Sequence, residues 1–122
     1  MKFVTNLFKP AEAKPPAPAT SETSMNFDLQ EVAPFLTQLG NNARFTFPAA
    51  LAEEIAHGLQ GMAVDETRRW KLTCDFDRQP ILMEIEAFMD DIDAPDLTFF
   101  GTLDAVAEIQ QELEAFAAAK GL

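Results

Sequence analysis

The stretch RRWKLTCDFDRQPILMEIEAFM, residues 68–89, consists of two alternating runs separated by a short polar turn. Alternation of apolar and polar side chains with a period of two is typical of half-buried β-strands. The stretch therefore predicts a β-hairpin with one apolar face. That face carries Trp70, Leu72, Cys74 and Phe76 from the first run and Ile81, Met83, Ile85 and Ala87 from the second.

The same stretch also suggests how the two strands pair. If Asp77 lies opposite Pro80, then Cys74 pairs with Met83 and Lys71 lies opposite Glu86. A slip of one residue would bring apolar side chains opposite glutamates, so we expect the pairing that keeps like with like.

Outward from the hairpin, DLTFFG at residues 96–101 predicts a third strand and ARFTF at 43–47 a short one. Thr102 is placed to cap a long helix whose apolar stripe runs from Leu103 to Ala117. A capping-box pattern, Asp28 followed by Glu31, predicts a helix that ends before Gly40. A second helix is expected to have Pro48 at its first position and to fray early at Gly58 and Gly61. The expected fold is α+β: a small antiparallel β-meander of about three to four strands, packed by a long C-terminal helix and one or two N-terminal helices.

Length and composition indicate one folded unit. The chain has 122 residues, 48% of them apolar, with eleven Phe. Because PAEAKPPAPATSETS at residues 10–24 has no large apolar side chain, we predict a disordered tail at 1–24 and a single acidic domain at 25–122. Met25 is an alternative start of the protein, and the choice between Met1 and Met25 stays open.

The tail begins with MKFVTNLFKP. At helical spacing Phe3 lies beside Leu7 and Val4 beside Phe8, which gives this peptide one apolar side. A helix this short is not stable alone in water, so it would form only against another surface. We predict that these four residues dock on a partner protein; the alternatives are a misassigned start, weak binding to a membrane surface, and docking onto the protein's own domain.

Charge narrows the class of partner. The net charge is −11, and residues 25–122 hold eighteen acidic side chains against six basic ones. Such a surface repels phosphate backbones, which argues against direct binding of nucleic acid, and it attracts a protein with a basic surface. The alternative is that the acidity serves solubility only. The predicted partner-binding acids are Glu84, Glu86, Asp90, Asp91, Asp93 and Asp96.

No motif indicates catalysis, a metal or a cofactor, so none is predicted. His57 is the only histidine and is expected on a helix surface, while Cys74, the only cysteine, is expected to be a small buried side chain. The run DDIDAPD at residues 90–96 does not match a calcium loop, because Asp96 occupies the position that requires Gly. A lone cysteine and the lack of any long apolar run predict a cytoplasmic protein without a membrane span.

Taken together, these features favour a non-enzymatic protein-binding module, such as an adaptor, an inhibitor or an immunity-type protein. One alternative is a structural or assembly protein that forms a homodimer. Another is a small metal-binding or enzymatic subunit that uses His57 or the Asp90 to Asp96 run.

Overall fold

The computed structural model describes residues 15–121, which form an α+β fold. The strands form one antiparallel sheet in the order β1-β5-β4-β3-β2. In chain order the elements of this range are β1 (Ser21–Asn26), α1 (Leu29–Gly40), β2 (Phe45–Thr46), α2 (Leu51–Gln60), β3 (Thr67–Phe76), β4 (Gln79–Asp91), β5 (Ala94–Gly101) and α3 (Leu103–Lys120).

The predicted α+β class, the meander and the long C-terminal helix are confirmed, but the sequence predicted too few strands. The described residues form five strands, and the one with no counterpart in the sequence prediction is β1. β1 pairs along its whole length with β5, and its Ser21 to Ser24 belong to the stretch assigned to a linker. The prediction missed β1 because SETSMN is polar, and its stability comes from backbone pairing at a sheet edge rather than from deep burial.

The hairpin of β3 and β4 has the predicted faces but a different register. Phe76 lies opposite Gln79, so the turn is only Asp77 and Arg78, Cys74 pairs with Ile81, and Lys71 lies opposite Glu84. Both turn residues have positive φ angles, 51° and 67°, as two-residue hairpin turns require. The change is a shift of two residues, which keeps every side chain on its predicted face.

The three helices of the described range cover one face of the sheet and leave the other to solvent. α1 contacts both α2 and α3, so it lies between them. Phe35 of α1 is fully buried against the rings of Phe27, Phe99 and Phe116. Within residues 15–121 no helix is long and apolar enough to cross a membrane.

Specific residues mark where the helices begin and end. Thr102 accepts a hydrogen bond from the Ala105 N–H at 3.3 Å, and Gly121 closes α3 with a φ of 76°, so both predicted ends are confirmed. α2 begins at Leu51, three residues later than predicted, because Pro48 to Ala50 form a turn before it. The start of α1 lies beside the end of α2, and the end of α1 lies beside the start of α2, so the two helices run antiparallel with a furrow between them.

Candidate functional site

Two of the six predicted acids lie on the open face of the sheet and are already paired. Arg69 donates to Glu84 at 2.9 Å and to Glu86 at 2.5 Å, and its guanidinium lies 5.0 Å from the ring centroid of Phe100. The hydrogen bond with Glu86 raises the pKa of Arg69 above its ordinary value, and the bond with Glu84 adds to it. The charges of these two glutamates are therefore largely satisfied within the protein.

Three other predicted acids lie together at the end of β4 and in the turn to β5. Asp90, Asp91 and Asp93 are exposed, and none of them has an ion pair within residues 15–121. At the tip of the turn the side chain of Ile92 is 70% exposed. The sixth acid, Asp96, points to the open sheet face and accepts a hydrogen bond from Asn26 Nδ2 at 2.7 Å. The predicted set is thus divided between two surfaces.

Backbone hydrogen bonds join this turn to the beginning of α1. The N–H of Leu29 donates to the carbonyl of Asp93 at 2.8 Å, and the N–H of Phe27 donates to that of Pro95 at 2.9 Å. Asp28 is thereby held beside the turn. It occupies the N-cap of α1, yet its side chain makes no capping hydrogen bond, contrary to the capping box expected from Asp28 and Glu31. Among the described residues its carboxylate has no ion-pair partner.

The furrow between α1 and α2 widens here into a groove of about 630 Å³. Leu29 and the buried Leu59 supply apolar surface, and the short side chains of Ala33 and Ala56 leave space between the helices. The full lining is Asp28, Leu29, Gln30, Ala33, Ala56, Leu59, Gln60 and Asp93. The groove therefore combines apolar side chains with the carboxylates of Asp28 and Asp93 and the amides of Gln30 and Gln60.

We call this end of the molecule the acidic pole, defined by Asp28, Asp90, Asp91, Ile92 and Asp93 with the groove that they adjoin. The loop before β3 lies next to it, since the N–H of Asp65 donates to the carbonyl of Met89 at 2.8 Å. That loop adds Val64, whose side chain is 48% exposed. The acidic pole thus combines exposed carboxylates with exposed apolar side chains.

The basic residue nearest to this loop is engaged locally. Arg68 donates to Glu66 at 3.1 Å and to the carbonyl of Gly58 at 3.1 Å. The pKa of Glu66 is lowered, mainly by a hydrogen bond from the Ala63 N–H and also by Arg68. This pair is neutral overall, and within residues 15–121 no basic side chain forms an ion pair with the aspartates of the pole.

His57, Cys74 and the aspartates of the 90–96 run belong to different elements, namely α2, β3 and the hairpin of β4 and β5. His57 is exposed on α2, as expected. Cys74 is buried in β3, and burial raises the pKa of its thiol to about 12, with a smaller contribution from Asp75. Within residues 15–121 no three or more His, Cys, Asp or Glu side chains are grouped as a metal site requires.

The four apolar tail residues, Phe3, Val4, Leu7 and Phe8, lie outside the described residues. Sequence reasoning missed Asp28 as a rim residue, because only the hydrogen bonds between Leu29 and the 91–94 turn bring it near Asp93. It also missed the groove. The sequence offered one indication of the groove: Ala33 in α1 and Ala56 in α2 are smaller than the other apolar residues on their helix faces.

Comparison with known proteins found no match to this chain among protein-family models, curated proteins or solved structures.

Proposed function

We propose that this protein is a non-enzymatic protein-binding module that holds a basic, apolar segment of a partner protein at the acidic pole. The observation that carries the proposal is the groove of about 630 Å³ between α1 and α2, whose lining combines Leu29 and two alanines with the carboxylates of Asp28 and Asp93. An amphipathic segment with Lys or Arg beside apolar side chains matches both properties of this groove.

Charge explains why we place the site here and not on the open sheet face. Glu84 and Glu86 share Arg69, so a basic partner would have to compete with an existing ion pair. Asp90, Asp91 and Asp93 have no such competitor within the described residues. Unpaired acidic groups attract a basic partner and accelerate its association.

The apolar part of the site supplies the affinity in this proposal. Exposed charge pairs each contribute little, roughly 0–1 kcal/mol, whereas burial of apolar surface contributes about 25 cal/mol per Å². The partly exposed Leu29 in the groove and the exposed Ile92 beside it offer such surface next to the carboxylates. Charges therefore steer the partner and the groove retains it.

The test uses the full chain and a short amphipathic peptide of lysine and leucine as the probe. Amide chemical shifts should change mainly at Leu29 to Ala33 and at Ala56 to Gln60 when the peptide is added. Asp28→Asn combined with Asp93→Asn should weaken binding several-fold, and so should Ala33→Leu, which leaves the charge unchanged and fills the groove.

The matched control is Asp104→Asn combined with Glu114→Gln, which removes the same amount of charge from exposed positions outside both groove linings. This control should bind the peptide nearly as the wild type does. Equal weakening of peptide binding by both double variants would show that binding depends only on net charge. That result would contradict a site at the acidic pole.

The homodimeric assembly protein remains a second candidate because of one observation. Within residues 15–121, Thr67 to Thr73 of β3 have no strand on the side away from β4, since β2 pairs only with the last two residues of β3. Such an edge can pair with another chain. Antiparallel pairing of two copies centred on Trp70, however, places Arg69 opposite Lys71 of the second copy, which is repulsive. Sedimentation that shows a dimer, lost on Trp70→Pro, would favour this candidate.

A further inference from the structure

The other end of the furrow between α1 and α2 forms a second groove, of about 400 Å³. It is separate from the acidic pole, and none of its lining residues carries a charge. Phe45 and Phe47 stack in its wall, with ring centroids 4.9 Å apart, and Phe47 is only half-buried. Leu36, Leu39 and Leu51 supply further lining. We call it the neutral groove.

The described chain begins at the same end of the sheet. Ala17 forms a parallel bridge with Ile81, donating to the carbonyl of Pro80 at 3.1 Å and accepting from the N–H of Leu82 at 2.8 Å. Because the bridge is parallel, Pro15 lies level with Gln79, next to the turn between β3 and β4. The fourteen residues that precede Pro15 therefore start from the end where β2 and the neutral groove lie.

Chain length decides which groove these residues can occupy in the same molecule. Ala17 lies beside β4, and three strand spacings of about 4.8 Å separate its position from β2, roughly 14 Å in all. Phe8 precedes Pro15 by seven residues and reaches about 25 Å at full extension. The acidic pole lies at the far end of β4, twelve residues beyond Gln79 or roughly 40 Å away at about 3.3 Å per residue.

We propose that the apolar side of the N-terminal peptide, Phe3, Val4, Leu7 and Phe8, binds the neutral groove of its own chain. The lining takes apolar side chains without burying a charge, and Lys2 and Lys9 at the ends of the peptide match Glu53 and Glu54, which are exposed next to Ala52 of the lining. The peptide covers the half-buried Phe47 and closes one end of the furrow. This inference is independent of the partner proposed for the acidic pole.

The test compares amide chemical shifts of the full chain with those of two tail variants. Phe3→Glu combined with Leu7→Glu removes the apolar side, whereas Thr5→Glu combined with Asn6→Glu adds the same charge at the polar positions between. The first variant should shift the signals of Phe47, Ala49 and Ala52, and the second should leave them near their wild-type positions. The shifts should be the same in a tenfold diluted sample.

Three results would overturn the proposal. One is that neither variant moves the signals of the neutral groove. Another is that the apolar variant moves Ala33 and Ala56 instead, which would place the peptide at the acidic pole. The third is that the differences between the variants disappear on dilution, which would mean that the peptide binds a second copy.

Discussion

At the scale of single residues, Gly58 shows how closely α2 approaches β3. A Cβ atom added at Gly58 would lie 2.7 Å from Cζ2 of Trp70, so no larger side chain fits without displacing the indole. The glycine that breaks the predicted helix pattern is therefore explained by packing. Trp70 is in turn held on the inner side of the unpaired edge of β3.

We predict that Gly58→Ala lowers the free energy of unfolding by about 1 kcal/mol, because overpacking outweighs the roughly 1 kcal/mol gain in helix propensity. Urea unfolding monitored by Trp70 fluorescence measures this. Gly61→Ala is the control, since nothing lies within 4 Å of its added Cβ, and it should change stability little. Stabilisation by Gly58→Ala would show that the indole moves aside without cost.

The turn between β3 and β4 also depends on one ion pair. Arg44 donates to Asp77 through two hydrogen bonds, at 2.9 and 2.7 Å, and its guanidinium lies 4.6 Å from the ring centroid of Phe76. The hydrogen bond from Arg44 lowers the pKa of Asp77 below its usual 3.8. A carboxyl group whose pKa is lowered by folding stabilises the fold above its unfolded pKa, and this stabilisation is lost as the pH falls through the folded value.

We therefore predict that Asp77→Asn lowers the melting temperature near neutral pH and that the difference from wild type narrows below about pH 3.8. Asn suits the positive φ at this position, so the turn itself should persist. Thermal melts of both proteins across this range measure the effect. A difference that is independent of pH would mean that the ion pair contributes nothing.

At the scale of elements, the two N-caps behave differently. The side chain of Thr102 caps α3, whereas that of Asp28 makes no capping bond to α1. Asp28 lies at the N-cap without a capping bond and lines the groove, so its substitution is expected to affect stability less than substitution of Thr102. The distinction is measurable.

We predict that Thr102→Ala lowers the free energy of unfolding by about 1 kcal/mol and that Asp28→Ala lowers it clearly less. Denaturant unfolding of the two variants, under the same conditions, gives the comparison. A loss for Asp28→Ala as large as that for Thr102→Ala would make Asp28 a structural residue and weaken its assignment to the acidic pole.

Elements also differ in how well their sequences predict them. The faces of β3 and β4 follow from period two and survive the two-residue error in register. The register itself was not predictable, because Asp77-Arg78 lacks the glycine that usually marks such a turn. β1 was missed because an edge strand needs only backbone pairing, and its inward side chains Ser21, Thr23 and Met25 are only half-buried.

At the scale of the whole molecule, the sequence predicted an acidic surface but not its division. From the sequence alone, Glu84, Glu86 and the acids of residues 90–96 are equivalent members of one acidic surface. The fold separates them, because Arg69 reaches the strand glutamates while the turn aspartates lie at the end of the sheet. Tertiary contacts of this kind cannot be read from local patterns, and they determine which charges remain available to a partner.

In our proposals the two ends of the furrow bind different segments. The acidic pole takes a basic segment from a partner, and the neutral groove at the opposite end takes the protein's own N-terminal peptide. Both lie on one furrow between α1 and α2, so α1 contributes its first turns to one groove and its last turns to the other.

Affinity capture from the native lysate tests whether the acidic pole is a binding site. Three full-length baits are used, and the captured proteins are eluted with increasing salt. The baits are wild type, Asp28→Asn with Asp93→Asn, and the charge-matched Asp104→Asn with Glu114→Gln. We expect wild type and the matched control to retain a basic protein that increasing salt releases. The Asp28 and Asp93 variant should fail to retain it. Equal capture by all three baits, or capture that salt does not weaken, would contradict a binding site at the acidic pole.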